Sequence, residues 1–266
     1  MHFSVALAND MNPKNSDISA VILAKNEEKR IGRCLESLEW AAERIVIDNG
    51  STDQTAVIAK RKSAVVVRAH DATGFAHLRN IGKEHAHGAW ILYVDADEQV
   101  TKALQDEILG LIAGFQPDRD PVAYFIKRKN LYLGHPWPYR DKMERLFWSK
   151  ALTTWEGELH ESPKVAGTAG ELSEPLIHDT HRTLEEMVDK TNKWSEIEAT
   201  LRQRFGHPAI VWWRLLRVMV TGFSTSYIMQ QGWRAGTVGL IESIYQGFSM
   251  FITYAKLWEM QQKDQR

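Results

Sequence analysis

The stretch WILYVDADEQV, Trp90 to Val100, opens on aromatic and branched apolar residues and then sets three carboxylates within four positions. Its first half reads as a buried strand. Its second half has two readings. A strand can run out into a solvated acidic turn that leads to the next helix, for which Thr101 is the cap and Leu104, Ile108, Leu111 and Ile112 the apolar side. Alternatively the acids build a cation site at the carboxyl end of a sheet. Side chains two apart in extended backbone face the same way, so Asp95 and Asp97 can converge on one hard cation and leave positions for phosphate oxygens and water.

Working towards the N-terminus, the same grammar repeats. ISAVILA (Ile18 to Ala24), RIVID (Arg44 to Asp48) and AVVV (Ala64 to Val67) read as strands, separated by helical patterns. Asn26 is placed to cap the first helix, with Glu27 and Glu28 at its positive end and Ile31, Cys34, Leu35 and Leu38 along one face. Ser51 and Gln54 have capping-box spacing before the second. Strands and helices alternating over short connections predict a mainly parallel sheet covered on both faces. Ligands of such sheets bind beyond the carboxyl ends of the strands. Here those ends are KNEE, DNGSTD and DADE.

The remainder predicts strands in VAYFIKRKNLYLG, MERLFWSK and ELSEPLIH, then a long helix from Thr183 to Phe205 and, beyond Pro208, an aromatic and aliphatic tail. Across its 266 residues the chain carries a net charge of -1, which gives no nucleic-acid footprint, and its single cysteine excludes a disulfide framework and suits a reducing compartment. The first residues lack the basic start and apolar run of a secretory signal and read as a flexible lead-in. No Gly-rich dinucleotide turn or P-loop follows the first strand. Asp95 and Asp97 stand too close in sequence for the ~5–9 Å carboxyl separation of a glycosidase.

The segments VILAKNEEKRIGRCLESL, IVIDNGSTDQT and HLRNIGKEHAHGAWILYVDADE, in this order and spacing, resemble glycosyltransferase family 2. RKNLYLG, RLFW, LHES and the aromatic, basic tail resemble its bacterial lipopolysaccharide-core glucosyltransferase branch, although HPWPYRDKME departs from the usual loop. The resemblance implies a GT-A fold over residues 17–181 after a lead-in of 1–16, with a helical extension over 182–266. It implies a nucleotide-sugar donor, UDP-glucose being the branch's guess, and a glycan or glycolipid acceptor such as lipopolysaccharide core. Residue by residue it assigns nucleotide contact to Asn26, Glu27, Asp48, Arg79 and Asp95, and a divalent cation, Mg2+ or Mn2+, to Asp97 and Asp95. Ser51, Thr52 and Asp53 read as structural caps, and Asn80 with Arg79 has a solvated helix face as its alternative. His77, His85 and His87 read as surface, while His178 is either structural or near the diphosphate.

An inverting transfer needs a carboxylate or histidine to take the acceptor proton. WEGELHESP offers Glu156, Glu158, His160 and Glu161; the HE of related transferases points to Glu161, with His160 as its neighbour, and Asp141 and Glu144 are rivals. The tail segments AIVWWRLLRVMVTGFSTSYIM and TVGLIESIYQGFSMFITYAKLW approach the ~20 residues that cross a bilayer. Arg214, Arg217 and Glu242 interrupt them, and Arg beside Trp suits a helix lying in the interface. The expected location is peripheral, on the cytoplasmic face of the inner membrane, with residues 209–258 in contact with it. The rival from another class is a non-catalytic GT-A-like scaffold that binds the nucleotide and releases no diphosphate.

Overall fold

Every residue from Ile18 to Ala24 is buried, because strand β1 (Ser16–Ala24) lies inside the sheet with both faces covered. The computed structural model describes residues 16–263 apart from 71, 73 and 158–160; the expected lead-in lies almost wholly outside them. β2 (Ala41–Asp48), β3 (Val65–Arg68) and β4 (Trp90–Asp95) complete a parallel set in the order β3-β2-β1-β4. The side-chain period of two then divides β1. Ile18, Ala20 and Ile22 pack with Ile31, Cys34 and Leu35 of helix α1 (Ile31–Glu36) and with Leu104 and Ile108. Val21 and Leu23 pack instead with Ala76 and Leu78, on the opposite face.

Helices α2 (Thr55–Arg61) and α3 (Phe75–His85) connect these strands. Gly82 lets α3 lie tight on the sheet, since a Cβ there would come within 2.3 Å of the Val21 side chain. After β4 come β5 (Glu98–Val100) and α4 (Lys102–Gly114), whose cap is Thr101 as expected: its hydroxyl accepts the Leu104 N–H at 3.1 Å. The sheet then extends antiparallel. β6 (Ala123–Tyr132), β7 (His135–Pro136) and β8 (Lys142–Trp148) follow, with β8 between β4 and β6. β9 (Leu152–Glu156) and β10 (Ser162–Val165) form a hairpin. β11 (Ala169–Glu171) and β12 (Leu176–Asp179) divide the single strand expected for ELSEPLIH, with Pro175 in the break.

Two compact units result, one of residues up to Lys127 with Lys142–Leu176, the other of Arg128–Asp141 with Ile177–Arg266. In the second, α5 (Leu184–Arg204) is capped by Thr183, begins with Glu185 and Glu186 and ends with Arg202 and Arg204, all matched to its dipole. α6 (Trp212–Ser224) and α7 (Gly236–Lys263) approach closely at Gly222 and Gly247, where a Cβ would meet a carbonyl of the facing helix at 2.9 Å in each case. Val218, Tyr254 and Leu257 close the core beside Leu215 and Met250. No described helix is long and apolar enough to cross a membrane.

Candidate active site

The parallel register aligns Ala24 with Asp48 and Leu23 with Asp95, which puts the KNEE, DNGSTD and DADE ends on one rim. Two sequence expectations are corrected here. Asn26 does not cap α1, which starts at Ile31 without a side-chain cap. It takes a left-handed backbone, φ 56°, and its Oδ1 accepts the Thr52 N–H at 2.8 Å. Ser51 and Gln54 form no capping box either, because α2 starts at Thr55 with no side-chain cap. Ser51 Oγ accepts the Asn26 N–H at 3.0 Å, Thr55 Oγ1 the Glu27 N–H at 2.7 Å and Asp53 the Glu28 N–H at 3.1 Å. Asn26 and Ser51 thus join the loops after β1 and β2, while Asp53 does so and also accepts the Thr55 N–H at 2.9 Å at the start of α2. Buried Asp48 sits at the root of the second loop and accepts the Ser51 N–H at 3.0 Å.

The acidic end of β4 is neither a solvated turn nor a bare cation site. Arg145, at 0% exposure, reaches it from β8. Its guanidinium donates to Asp95 Oδ2 at 2.6 Å and Oδ1 at 3.3 Å, and to the fully buried Glu98 at 3.0 Å. Burial opposes the charge of Arg145, but Asp95 and Glu98 raise its pKa above the ordinary arginine value. Glu98 in turn accepts the Asp95 N–H at 2.9 Å, so the acidic turn is tied at backbone and side chain.

Arg79 supplies the second buried cation. Its guanidinium lies 5.5 Å from the Tyr93 ring centre and 5.0 Å from that of Trp155. It donates to Asp95 Oδ1 at 3.4 Å and, through Nε, to Glu161 at 3.1 Å. Arg79 is therefore held by two carboxylates and two rings, rather than exposed on a solvated helix face. Asn80 secures this arrangement by accepting the Trp155 N–H at 2.8 Å and donating to the Trp155 carbonyl at 3.0 Å. Glu161, distant in sequence, thereby shares one guanidinium with Asp95. On the rim, Arg30 pairs with Glu27 and lies 3.6 Å from Asp97.

Other sequence candidates fall elsewhere. His160 and Glu158 lie outside the described residues. Asp141 accepts from Arg128 and Asn130 in the second unit, where His178 also meets Asn130 at 2.8 Å. Glu144 on β8 is half-buried, and that burial raises its pKa. His77, His85 and His87 are exposed on or just after α3, and Glu156 is exposed at the end of β9. Sequence reasoning missed Arg145, Glu98 as its partner, Arg30 and Trp155; the only signal was an arginine inside the apolar run RLFW.

Among the described residues no three His, Cys, Asp or Glu side chains converge as a metal cage. The ion pairs around the acidic turn set five carboxylates (Glu27, Asp95, Asp97, Glu98, Glu161) against three guanidiniums (Arg30, Arg79, Arg145). That excess of negative charge, with oxygen donors at Asp97 and Asp95, fits a hard divalent cation that completes its shell with substrate phosphates.

Comparison with known proteins agrees with this architecture. Over 253 residues the chain is 26% identical to the lipopolysaccharide core biosynthesis glycosyltransferase LpsC of Rhizobium meliloti, covering 91% of this chain and 92% of that one. It is 30% identical over 256 residues to an uncharacterized glycosyltransferase of Rickettsia felis, covering 91% and 89%. The crystal structure of S. aureus TarS 1-349 in complex with UDP-GlcNAc superposes with a TM-score of 0.50 at 15% identity, over 93% of this chain and 92% of that one, a likeness of fold. The profile described as Glycosyl transferase family 2 matches residues 19–160, more than half of the sequence, and the chain belongs to that family.

Proposed function

We propose that this transferase moves a sugar from a nucleoside diphosphate to a hydroxyl of a glycan or glycolipid acceptor, with inversion at the anomeric carbon. The observation that carries the reading is the Arg79 guanidinium shared by Asp95 and Glu161. It links the donor-side acid to a carboxylate 66 positions later, and so supplies two separated roles within one site. Asp48, Asn26 and Glu27 line the nucleotide end of the rim. Asp97, with Asp95 beside it, would hold a Mg2+ or Mn2+ ion, which supplies Lewis-acid stabilisation of the diphosphate leaving group. The acceptor oxygen forms its bond to the anomeric carbon as the carbon–phosphate-oxygen bond breaks. That electron pair leaves with the diphosphate, and the acceptor proton passes to the Glu161 carboxylate. Arg79 orients Glu161 and keeps it from turning away; His160 is its proposed neighbour.

The likeness to LpsC supports a lipopolysaccharide-core acceptor, and UDP-glucose is the proposed donor. An amphiphilic acceptor suits a protein that is peripheral on the cytoplasmic face of the inner membrane, with residues 209–258 touching the bilayer. The test is release of free nucleoside diphosphate from a panel of nucleotide sugars, with Mn2+, Mg2+ or chelator, for wild type, Asp97→Asn and Glu161→Gln. The expected result is cation-dependent transfer abolished by Asp97→Asn, and reduced ~10²–10⁴-fold by Glu161→Gln while donor binding persists. Transfer by Glu161→Gln within a few-fold of wild type refutes its role as base. Nucleotide binding with no release under any condition favours the scaffold reading.

A further inference from the structure

The second unit leaves one face of α6 without a partner. Leu215, Val218 and Gly222 turn inward, whereas Trp212, Trp213, Leu216, Met219 and Val220 are exposed, Trp212 at 74%. At 100° per residue these outward side chains form one continuous apolar arc. It is extended by the short helical turns that follow, a π-helix over Thr225–Met229 and a 3-10 helix over Gly232–Ala235, where Met229 is also 74% exposed and Ile228 and Trp233 stand out as well. Beside the arc, the Arg214 and Arg217 guanidiniums each lie 5.6 Å from the Trp213 ring centre. From position 199 to 241 the sequence contains Arg202, Arg204, Arg214, Arg217 and Arg234 and no Asp or Glu.

We propose that the outward face of α6 and the short helical turns after it form the surface on which the protein lies on an anionic bilayer. Trp212, Leu216 and Val220 enter the acyl boundary, and Arg214, Arg217 and Arg234 meet lipid phosphates. The proposal rests on the membrane contact read for residues 209–258 and names its element, its inserting side chains and the charge of the lipid. Length decides against spanning: the 13 residues of α6 and the 5 of π-helix that continue it rise at most about 27 Å, against ~30 Å of hydrocarbon, and arginines interrupt them. Charge decides against a second copy of this chain. A two-fold contact through the same face would set arginine against arginine, with no carboxylate in the patch to receive them. A negatively charged headgroup layer beneath an apolar one complements both features.

The experiment is flotation of the full chain with vesicles of phosphatidylcholine alone or mixed with phosphatidylglycerol, with light scattering to report its oligomeric state. The variants Trp212→Ser/Leu216→Ser and Arg217→Glu/Arg234→Glu change exposed positions, and circular dichroism checks their fold. Binding should require the anionic lipid. The apolar pair should weaken it ~100-fold, from the burial of two large side chains, and the charge pair at least ~10-fold. Wild type that ignores both vesicles overturns the membrane-contact reading and this proposal together. Binding that is equal on neutral vesicles, or untouched in both variants, overturns this proposal and leaves the broader contact standing. A soluble dimer that Trp212→Ser/Leu216→Ser dissolves, with no vesicle binding, assigns the face to self-association and also overturns it.

Discussion

Replacing Arg145 by methionine keeps the length of the side chain and removes its charge, leaving two carboxylates that the fold has placed side by side. They are not equivalent. Asp95 has a part-exposed side chain and can be hydrated, but Glu98 has none of its surface in water. Removing one partner of a buried ion pair costs about 3–5 kcal/mol, because the other charge stays behind uncompensated. Here the lower half of that range is expected, since water can reach the Asp95 side. Adding Glu98→Gln removes the stranded charge, and the amide oxygen can still accept the Asp95 N–H. The double variant should therefore be more stable than Arg145→Met alone by roughly 1–2 kcal/mol, a sign that independent effects cannot produce. Urea unfolding of wild type, both single variants and the double variant closes the cycle. A loss below about 1 kcal/mol in Arg145→Met, or strict additivity in the cycle, would refute the argument that Arg145 neutralises the acidic turn.

Burial, and then the negative charges of Glu98, Asp97, Asp95 and Glu27, raise the Cys34 thiol well above its ordinary range. Alkylation of the native protein at pH 8 should therefore be at least ~100-fold slower than in urea, and similar rates would contradict that burial. Burial acts to raise Asp141, but hydrogen bonding and charge from Arg128, with Asn130, hold it below the usual aspartate value. A depressed carboxylate stabilises the fold above its unfolded pKa and loses that contribution as pH falls through the folded one. The stability gap between wild type and Asp141→Asn should thus be constant from pH 5 to 7 and shrink below about pH 4; a gap that widens in acid is the contrary result. Gly82→Ala gains helix propensity but forces its methyl into Val21, and should destabilise by ~1–3 kcal/mol on thermal unfolding. Nucleotide titration should show Asp48→Ala weakening donor binding ~10-fold or more even without metal, in keeping with the loss of a charged hydrogen-bond partner; an unchanged affinity would remove Asp48 from the nucleotide site.

The sequence by itself determined what depends on local periodicity. Ile18 to Ala24 could only be a strand buried on both faces, because six of its seven positions are apolar and the seventh, Ser19, is small. Ile31, Cys34, Leu35 and Leu38 had to share one side of a helical segment, and all four are buried. Thr101 had its helix immediately ahead of it and capped it. The alternation of such elements was enough for a parallel sheet, and the sheet was enough to put three polar strand ends on one rim.

Tertiary structure decided how polar groups were paired, because in a chain of this length a donor can choose an acceptor from any neighbouring loop. Asn26 and Ser51 have the composition of helix caps, yet each found its partner across the rim, where joining two loops satisfies more backbone groups than starting a short helix. Asp95 is written in the sequence as one of three crowded acids. Its arginines come from α3 and β8, so the repulsion that made the stretch conspicuous is relieved from outside it. Glu161 was one of several acids near its hairpin, and nothing local linked it to Asp95. The contact arises because Asn80 docks β9 against α3 and brings the end of the hairpin to Arg79. The exposed arc of α6 was likewise undecidable from an apolar run alone. Gly222 and Gly247 draw one side of that helix onto α7 and leave the other uncovered.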